Sequence, residues 1–178
     1  MIEDKNKKRP YSVEVYNPDW ELKFNDIRKV LSEIFGSKAL DIEHVGSTSL
    51  GIKAKPVIDV LVIVENVDDI KEEKNKLISL GYKYYDNYIA PQTVTFFKEE
   101  IDGRKTENIH VCLNGSPKAI QFIDTRDYLK VHPERARAYG ELKEELKKQY
   151  PNDYPAYRSG KQAFLDETER LTKIWKML

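Results

Sequence analysis

The sequence has little of several features that would place it in a specialised class of protein. It has one cysteine, Cys112, so no internal disulfide can form. Its 30 Lys and Arg residues balance 30 Asp and Glu residues, and this neutrality argues against broad binding to nucleic acid or to a membrane surface. No run of about 18 apolar residues occurs, and the polar start MIEDKNKKRPY lacks the apolar core of a secretory signal. We therefore expect a reduced, cytoplasmic protein without a membrane span.

The 178 residues are enough for one sizeable core, and we expect a mobile tail at residues 1–10 before a single domain at 11–178. Strand patterns fall in the first two thirds of the chain, and helical patterns fall at both ends. This order predicts an α+β domain with a mixed sheet. The predicted strands begin at 39, 57, 82, 93 and 105, and the predicted helices cover 17–36, 68–80, 116–131, 134–148 and 159–177.

The most informative stretch is HVGSTSLGIKAKPVIDVLVIV, at residues 44–64. It predicts a strand, a tight turn and a second, very apolar strand. In the turn, a glycine precedes three hydroxyl residues, and such a turn can direct N–H and O–H donors at a phosphate. A locally capped turn without a ligand is the alternative explanation, since glycine and serine are common in turns. The turn residues are Gly46, Ser47, Thr48 and Ser49.

Asp59 is the unusual residue of the second strand, because a buried strand tolerates a carboxylate only when a metal, a cation or several donors pair with it. On the strand predicted at 105–113, Asn108, His110 and Cys112 share one face. If the apolar residues of that strand face the core, His110 points to the opposite face. We expect His44, just before the turn, to orient the loop by hydrogen bonding.

The chain resembles the GrpB family over nearly its whole length. The resemblance lies in HVGSTS and KPVID, in VEVYNPDW near the start, in NIHV at 108–111, in RDYLKVHPERARAY at 126–139, and in the spacing of Tyr157, Lys161, Phe164 and Leu165. The GrpB family is similar in fold to the nucleotidyltransferase superfamily, in which a Gly-Ser pair ends one strand and an Asp-x-Asp/Glu pair on the next holds magnesium and a nucleoside triphosphate.

The resemblance implies that the turn of residues 46–49 anchors a nucleotide, and that His110 is a site residue acting as a metal ligand or a base. His110 and Asp59 would together hold magnesium. The sequence departs from the superfamily at Leu61, where a second carboxylate usually stands. Two magnesium ions need several shared oxygen ligands, so a single aspartate requires help from another residue.

Three cations are candidate phosphate ligands. Lys55 precedes Pro56 and is therefore biased to an extended backbone at the mouth of the strand. Arg126 and Lys161 each lie on an apolar helical stripe, where a cation needs an anion or a buried carboxylate nearby, or must extend to solvent. By contrast, the alternating charges of ELKEELKK at 141–148 predict a solvated helix face.

Two function hypotheses follow. The first is a divergent magnesium-dependent nucleotidyltransferase-like enzyme, in which Asp59 and His110 act at the metal and the phosphate ligands neutralise charge. The second is a binding module of the same fold that holds a nucleotide or a phosphorylated metabolite without catalysis. A weaker third hypothesis, an RNA-directed activity, is disfavoured by the zero net charge.

Overall fold

The computed structural model describes residues 9–178. Residues 1–8 of the tail predicted at 1–10 therefore lie outside the described residues. The helices are α1 Asp19–Phe35, α2 Lys71–Ser79, α3 Pro117–Val131, α4 Pro133–Gln149, α5 Tyr154–Gly160 and α6 Gln162–Trp175, and the strands are β1 Ala39–Val45, β2 Ile58–Val64, β3 Lys83–Asp86, β4 Thr93–Glu99 and β5 Lys105–Leu113. Among the described residues, no helix is both long and apolar enough to cross a bilayer.

The strands form one mixed sheet in the order β1-β2-β5-β4-β3. Strands β2 and β5 are parallel, and the other neighbours are antiparallel. The predicted hairpin is present, because β4 and β5 pair across the Asp102-Gly103 turn, where Gly103 donates its N–H to the Glu100 carbonyl. The predicted α+β fold with a mixed sheet is confirmed.

Helices cover the sheet on both faces, which explains the unbroken apolar run of β2. On one face, Val60 and Val62 join the main core with Trp20 of α1 and Leu77 of α2. On the other face, Leu61, Ile63 and Cys112 pack against Ala119, Phe122 and Ile123 of α3. Asp59 lies on this second face, on the side of the sheet that the C-terminal helices cover.

The C-terminal helices differ from the prediction in one respect that matters for the site. The single helix predicted at 159–177 is two helices, α5 and α6, which are separated at Lys161. Helix α5 begins earlier because the Asp153 side chain accepts a hydrogen bond from the N–H of Ala156. A side chain at Gly160 would lie 2.5 Å from Cδ2 of Leu146, so glycine lets α4 and α5 pack closely. Lys161 therefore stands at a helix junction.

Helix α2 also begins later than predicted, at Lys71 rather than Asp68. A short 3-10 turn, Val67–Asp69, occupies the predicted first turn, and the Asn66 side chain accepts a hydrogen bond from the N–H of Asp68. Asparagine is a strong cap for such a turn, so it starts a separate element there.

Candidate functional site

The turn of residues 46–49 is a short 3-10 helix between β1 and β2. Gly46 has φ 71° and ψ −172°, a backbone conformation that is open almost only to glycine. Ser49 stabilises the turn by donating its hydroxyl to the Gly46 carbonyl at 2.7 Å. Thr48 is buried, and its hydroxyl donates to the Val57 carbonyl at 3.3 Å. The hydroxyls of Thr48 and Ser49 thus build the turn, whereas Ser47 lines a cavity.

His44 orients the turn, as expected. Its Nε2 lies 3.0 Å from the Thr48 hydroxyl, and its ring stacks on Phe24 with centroids 4.6 Å apart. Burial lowers the pKa of His44 to about 4, helped by Lys130 and Arg126 and opposed by Asp59. The imidazole is therefore neutral at physiological pH and holds the turn through a hydrogen bond rather than a charge.

Asp59 lies directly behind Gly46. A Cβ placed on Gly46 would be 2.5 Å from Oδ2 of Asp59, so the glycine backbone and the carboxylate are in close contact. Oδ1 accepts a hydrogen bond from Nδ2 of Asn108 at 2.8 Å and lies 3.5 Å from Nε2 of His110. Burial opposes ionisation, but hydrogen bonds from His110 and Asn108, and the charges of His110 and Lys55, hold the pKa of Asp59 below its usual value. The carboxylate is therefore ionised near neutral pH.

His110 is held on both sides. Its Nδ1 lies 3.3 Å from the hydroxyl of Thr95 on β4, and its ring stacks on Phe122 of α3 with centroids 4.9 Å apart. His110 points away from the apolar residues of β5, as the sequence predicted, and it lies on the same face of the sheet as Asp59, a face that α3 covers. Asn108 is on the same face of β5, and its contact with Asp59 was not foreseen.

The metal donors at this site are few. Among residues 9–178, no group of three or more His, Cys, Asp or Glu side chains could hold a metal ion. Mg²⁺ prefers oxygen ligands and is commonly bound by one or two carboxylates plus substrate phosphates. The donor set around Asp59 therefore suits at most one Mg²⁺ carried by a phosphate ligand, and it does not suit a two-metal site.

Two hollows adjoin the turn and Asp59. The first, of about 210 Å³, is lined by Lys55, Asp59 and His110 together with Tyr154 and Arg158. The second, of about 380 Å³, is lined by the Gly46-Ser47 turn and by residues of α3, α4 and α6, including Phe122, Tyr139 and Leu165. Asp59 lines the first hollow and Gly46 lines the second, so the close contact between these two residues lies between the hollows.

Lys55 and Lys161 both lie close enough to Asp59 for their charges to interact with it. Lys55 donates to the Tyr154 hydroxyl at 2.8 Å. Burial, together with the charges of Lys55 and Arg158, lowers the pKa of Lys161 to about 7, and Asp59 acts in the opposite direction. The neighbouring Lys53 points elsewhere, because it forms an ion pair with Glu144 at 2.7 Å.

The prediction of a solvated helix face at 141–148 is wrong for Lys143. This lysine is only 2% exposed, and its Nζ lies 4.5 Å from the Tyr139 ring centroid. Burial, with the charges of Lys161 and Lys55, lowers the pKa of Lys143 to about 6, opposed by Asp59. A signal was present in the sequence, because Lys143 lies four residues after Tyr139 and seven after Ala136, on the buried face of α4. The alternating charges around it concealed that spacing.

Arg126 has the carboxylate partner that the sequence offered as one alternative. Its guanidinium forms ion pairs with Glu43 of β1 and Asp127, and it donates to the His44 carbonyl at 3.2 Å. These contacts tie α3 to the strand that leads into the turn. A phosphate would have to compete with Glu43 for this arginine, although Arg126 does line the second hollow.

The fold is of the nucleotidyltransferase-like α+β class. The chain superposes with TM-score 0.53 on Cid1, in a structure described as a basis for RNA terminal uridylyl transferase activity, covering 76% of this chain and 43% of that one. Sequence identity is 15%, so the likeness concerns the fold alone.

The chain belongs to the GrpB family, since the family described as "GrpB protein" matches residues 10–170. It is similar to the glutamate-rich protein GrpB of Alkalihalophilus pseudofirmus, with 33% identity over 85% of this chain and 90% of the relative. It is 30% identical to UPF0157 protein YqkA of Bacillus subtilis over 95% of this chain, which spans about half (49%) of YqkA. The crystal structure of GrpB from Enterococcus faecalis superposes with TM-score 0.85 and 29% identity, covering 92% of this chain and 99% of that one.

Proposed function

We propose that the protein binds a nucleoside triphosphate through its phosphates, beside the contact between Gly46 and Asp59. The observation that carries this proposal is the set of amines around one carboxylate, because Lys55 acts on Asp59 and Asp59 acts on Lys143 and Lys161. The lowered pKa values of Lys143 and Lys161 leave these amines largely or partly neutral without a ligand, and a polyanion would favour their protonated forms. The Ser47 hydroxyl, which pairs with Tyr139 in the absence of a ligand, and the backbone at Gly46 would be the donors to a phosphate.

Magnesium would enter with the nucleotide. Asp59 would supply the protein carboxylate for it, and the phosphate oxygens would supply other ligands. The ion would neutralise phosphate charge. His110 suits an orienting role better than a place among the ligands, because Mg²⁺ prefers oxygen and the His110 ring already contacts Asp59 and Thr95. His110 would then act on the carboxylate as a second-layer hydrogen-bond partner does at other metal sites.

Nucleotidyl transfer is the second candidate, and one observation favours it. The second hollow, lined by Ser47, is distinct from the first, lined by Asp59, so one could take a nucleotide and the other an acceptor. Catalysis would then come from positioning and charge neutralisation. The apolar Leu61 opposes this candidate, since it removes the second carboxylate of a two-metal clamp. Nucleotide binding without transfer therefore has the stronger support.

Thermal unfolding with each of the four ribonucleoside triphosphates, with and without Mg²⁺, tests the proposal. At ligand concentrations about 100-fold above Kd, binding adds about 2.7 kcal/mol, which raises the Tm by about 5–10 °C in a chain of this size. In Asp59→Asn, we expect the part of this rise that depends on Mg²⁺ to disappear. Asp26→Asn is the matched control, since Asp26 is 81% exposed on α1, and it should behave as the wild type.

Two results would contradict the proposal. One is the absence of stabilisation by any of the four nucleotides. The other is an equal Mg²⁺-dependent rise in the wild type and in Asp59→Asn. The Tm of each variant without ligand shows whether the substitution has altered the fold.

A further inference from the structure

Two buried polar atoms near the site have no hydrogen-bond partner among residues 9–178. They are Nζ of Lys143 and the hydroxyl of Tyr157, and the two residues are 2% and 0% exposed. An unsatisfied buried hydroxyl is costly, and an unpaired buried ammonium is more so. Native proteins keep few such atoms, and each calls for an explanation such as a ligand or an ion.

The same two residues belong to a cluster in which amines lie over aromatic rings. Lys143 lies over Tyr139 of its own helix, and Nζ of Lys161 lies 5.0 Å from the Tyr157 ring centroid. The two pairs are neighbours, since Lys161 acts on Lys143 and Tyr139 acts on Tyr157. Ring faces attract cations but do not accept hydrogen bonds as an oxygen anion does. The donors of the cluster therefore remain available to an anion.

The charged neighbours of the cluster leave positive charge uncompensated. Lys55 and Lys161 act on Lys143 with the same sign, and Asp59 alone acts with the opposite sign. The groups around Tyr157 are the tyrosines Tyr11, Tyr139 and Tyr154, which carry no charge at neutral pH. Lys161 has the same opposing carboxylate, Asp59, and Arg158 as a further cation. One carboxylate thus faces several amines, and an anion at the cluster would favour their protonated forms.

We propose that Lys143, Lys161 and the Tyr157 hydroxyl form a site for the terminal phosphate of a polyphosphate chain whose inner phosphates lie at Ser47 and Asp59. This inference rests on the proposed function and adds that the protein recognises the number of phosphates. The flexible stem of Lys143 allows its ammonium to move toward the anion. A monophosphate held at Ser47 would leave this cluster without a partner, so a triphosphate is favoured over a monophosphate.

Isothermal titration with inorganic tripolyphosphate and with inorganic phosphate tests this site without any nucleoside. We compare the wild type with Lys143→Met, Tyr157→Phe and the control Lys148→Met, which replaces a 73% exposed lysine on the same helix. Loss of a charged hydrogen bond corresponds to about a 10- to 100-fold weaker Kd. We expect that loss for tripolyphosphate in Lys143→Met, and a smaller loss of about 3- to 10-fold in Tyr157→Phe. Lys148→Met should match the wild type.

Each outcome of the titrations either supports or overturns the terminal-phosphate site. Tight binding of tripolyphosphate that weakens in Lys143→Met but not in Lys148→Met supports the terminal-phosphate site, whether or not nucleotides bind. Three results would each overturn the proposed site. The first is equal affinity of the wild type and Lys143→Met for tripolyphosphate. The others are equal affinity of the wild type for tripolyphosphate and phosphate, and no binding of tripolyphosphate by the wild type. If nucleotides still stabilise the wild type in the thermal assay, the proposed function survives these results. Melting of each variant without ligand confirms that it is folded.

Discussion

Gly46→Ala is expected to lower the free energy of unfolding by about 3–5 kcal/mol and the Tm by about 6–15 °C. The backbone at Gly46 has φ 71° and ψ −172°, where a residue with a Cβ is strained. The new Cβ would also lie 2.5 Å from Oδ2 and 3.0 Å from Cβ of Asp59. Because relief of this contact displaces either the turn or the carboxylate, we expect nucleotide-dependent stabilisation to disappear as well. Chemical denaturation and thermal shift measure the two effects.

Gly51→Ala is the matched control for the backbone effect. Gly51 also has a positive φ, 68°, but a Cβ there would meet no atom within 4 Å. Its substitution should cost about 1 kcal/mol and leave nucleotide binding intact. If both variants lose stability equally and both still bind, the close approach of Gly46 to Asp59 has no special role.

Lys143→Met is expected to stabilise the protein without ligand, with an effect that depends on pH. The buried amine has a pKa of about 6 in the folded protein, against 10.5 for an ordinary lysine. In the pH range between these values the unfolded chain holds a proton that the folded protein must release, so folding of the wild type becomes more favourable as the pH rises. The penalty is fully present below pH 6 and disappears near pH 10.5.

Methionine has a similar shape and no charge, so it removes this penalty. The gain over the wild type should be on the order of 5 kcal/mol near pH 6, falling by about 1.4 kcal/mol per pH unit above it. Urea denaturation of both proteins from pH 6 to pH 10 measures the difference. Lys148→Met should stay within about 0.5 kcal/mol of the wild type throughout. A gain that does not change with pH would show that Lys143 is not buried as a neutral amine.

A variant that is more stable but binds tripolyphosphate poorly would show that the wild type keeps Lys143 at a cost. Proteins commonly retain such strain at functional sites. Replacement of both partners of a buried pair is often neutral, whereas a buried cation without a partner is costly. The combination of greater stability and weaker binding therefore separates a ligand-binding lysine from a merely structural one.

Patterns within single segments were sufficient to predict most of the fold. The 3.6-residue period of α1 and the apolar run of β2 follow from burial on one or both faces, and the Asp102-Gly103 hairpin follows from local turn chemistry. The end of the chain was less predictable. Just before the break at Lys161, Gly160 packs closely against Leu146 of α4, a contact between segments that no local pattern contains.

The candidate site was likewise predicted from the sequence only in part. Sequence reasoning selected the turn, Asp59 and His110, and the structure brings them together. The sequence could not show whether Arg126 pairs with a bound anion or with a carboxylate of the protein, because its partner Glu43 is 83 residues away along the chain. The assignment of these residues to phosphate or magnesium stays a prediction that the experiments above test.

The sequence by itself determined that this protein is an α+β member of the GrpB family. It also identified one unusual strand aspartate, which follows a turn that begins with glycine. Those features reside in short segments, where side-chain period and backbone freedom act locally. Only the tertiary structure decided which charges meet, placing Lys143 inside the protein and Arg126 against Glu43. The physical reason is that burial and Coulomb interactions depend on distance in space, and the spacing of residues along the chain does not specify that distance.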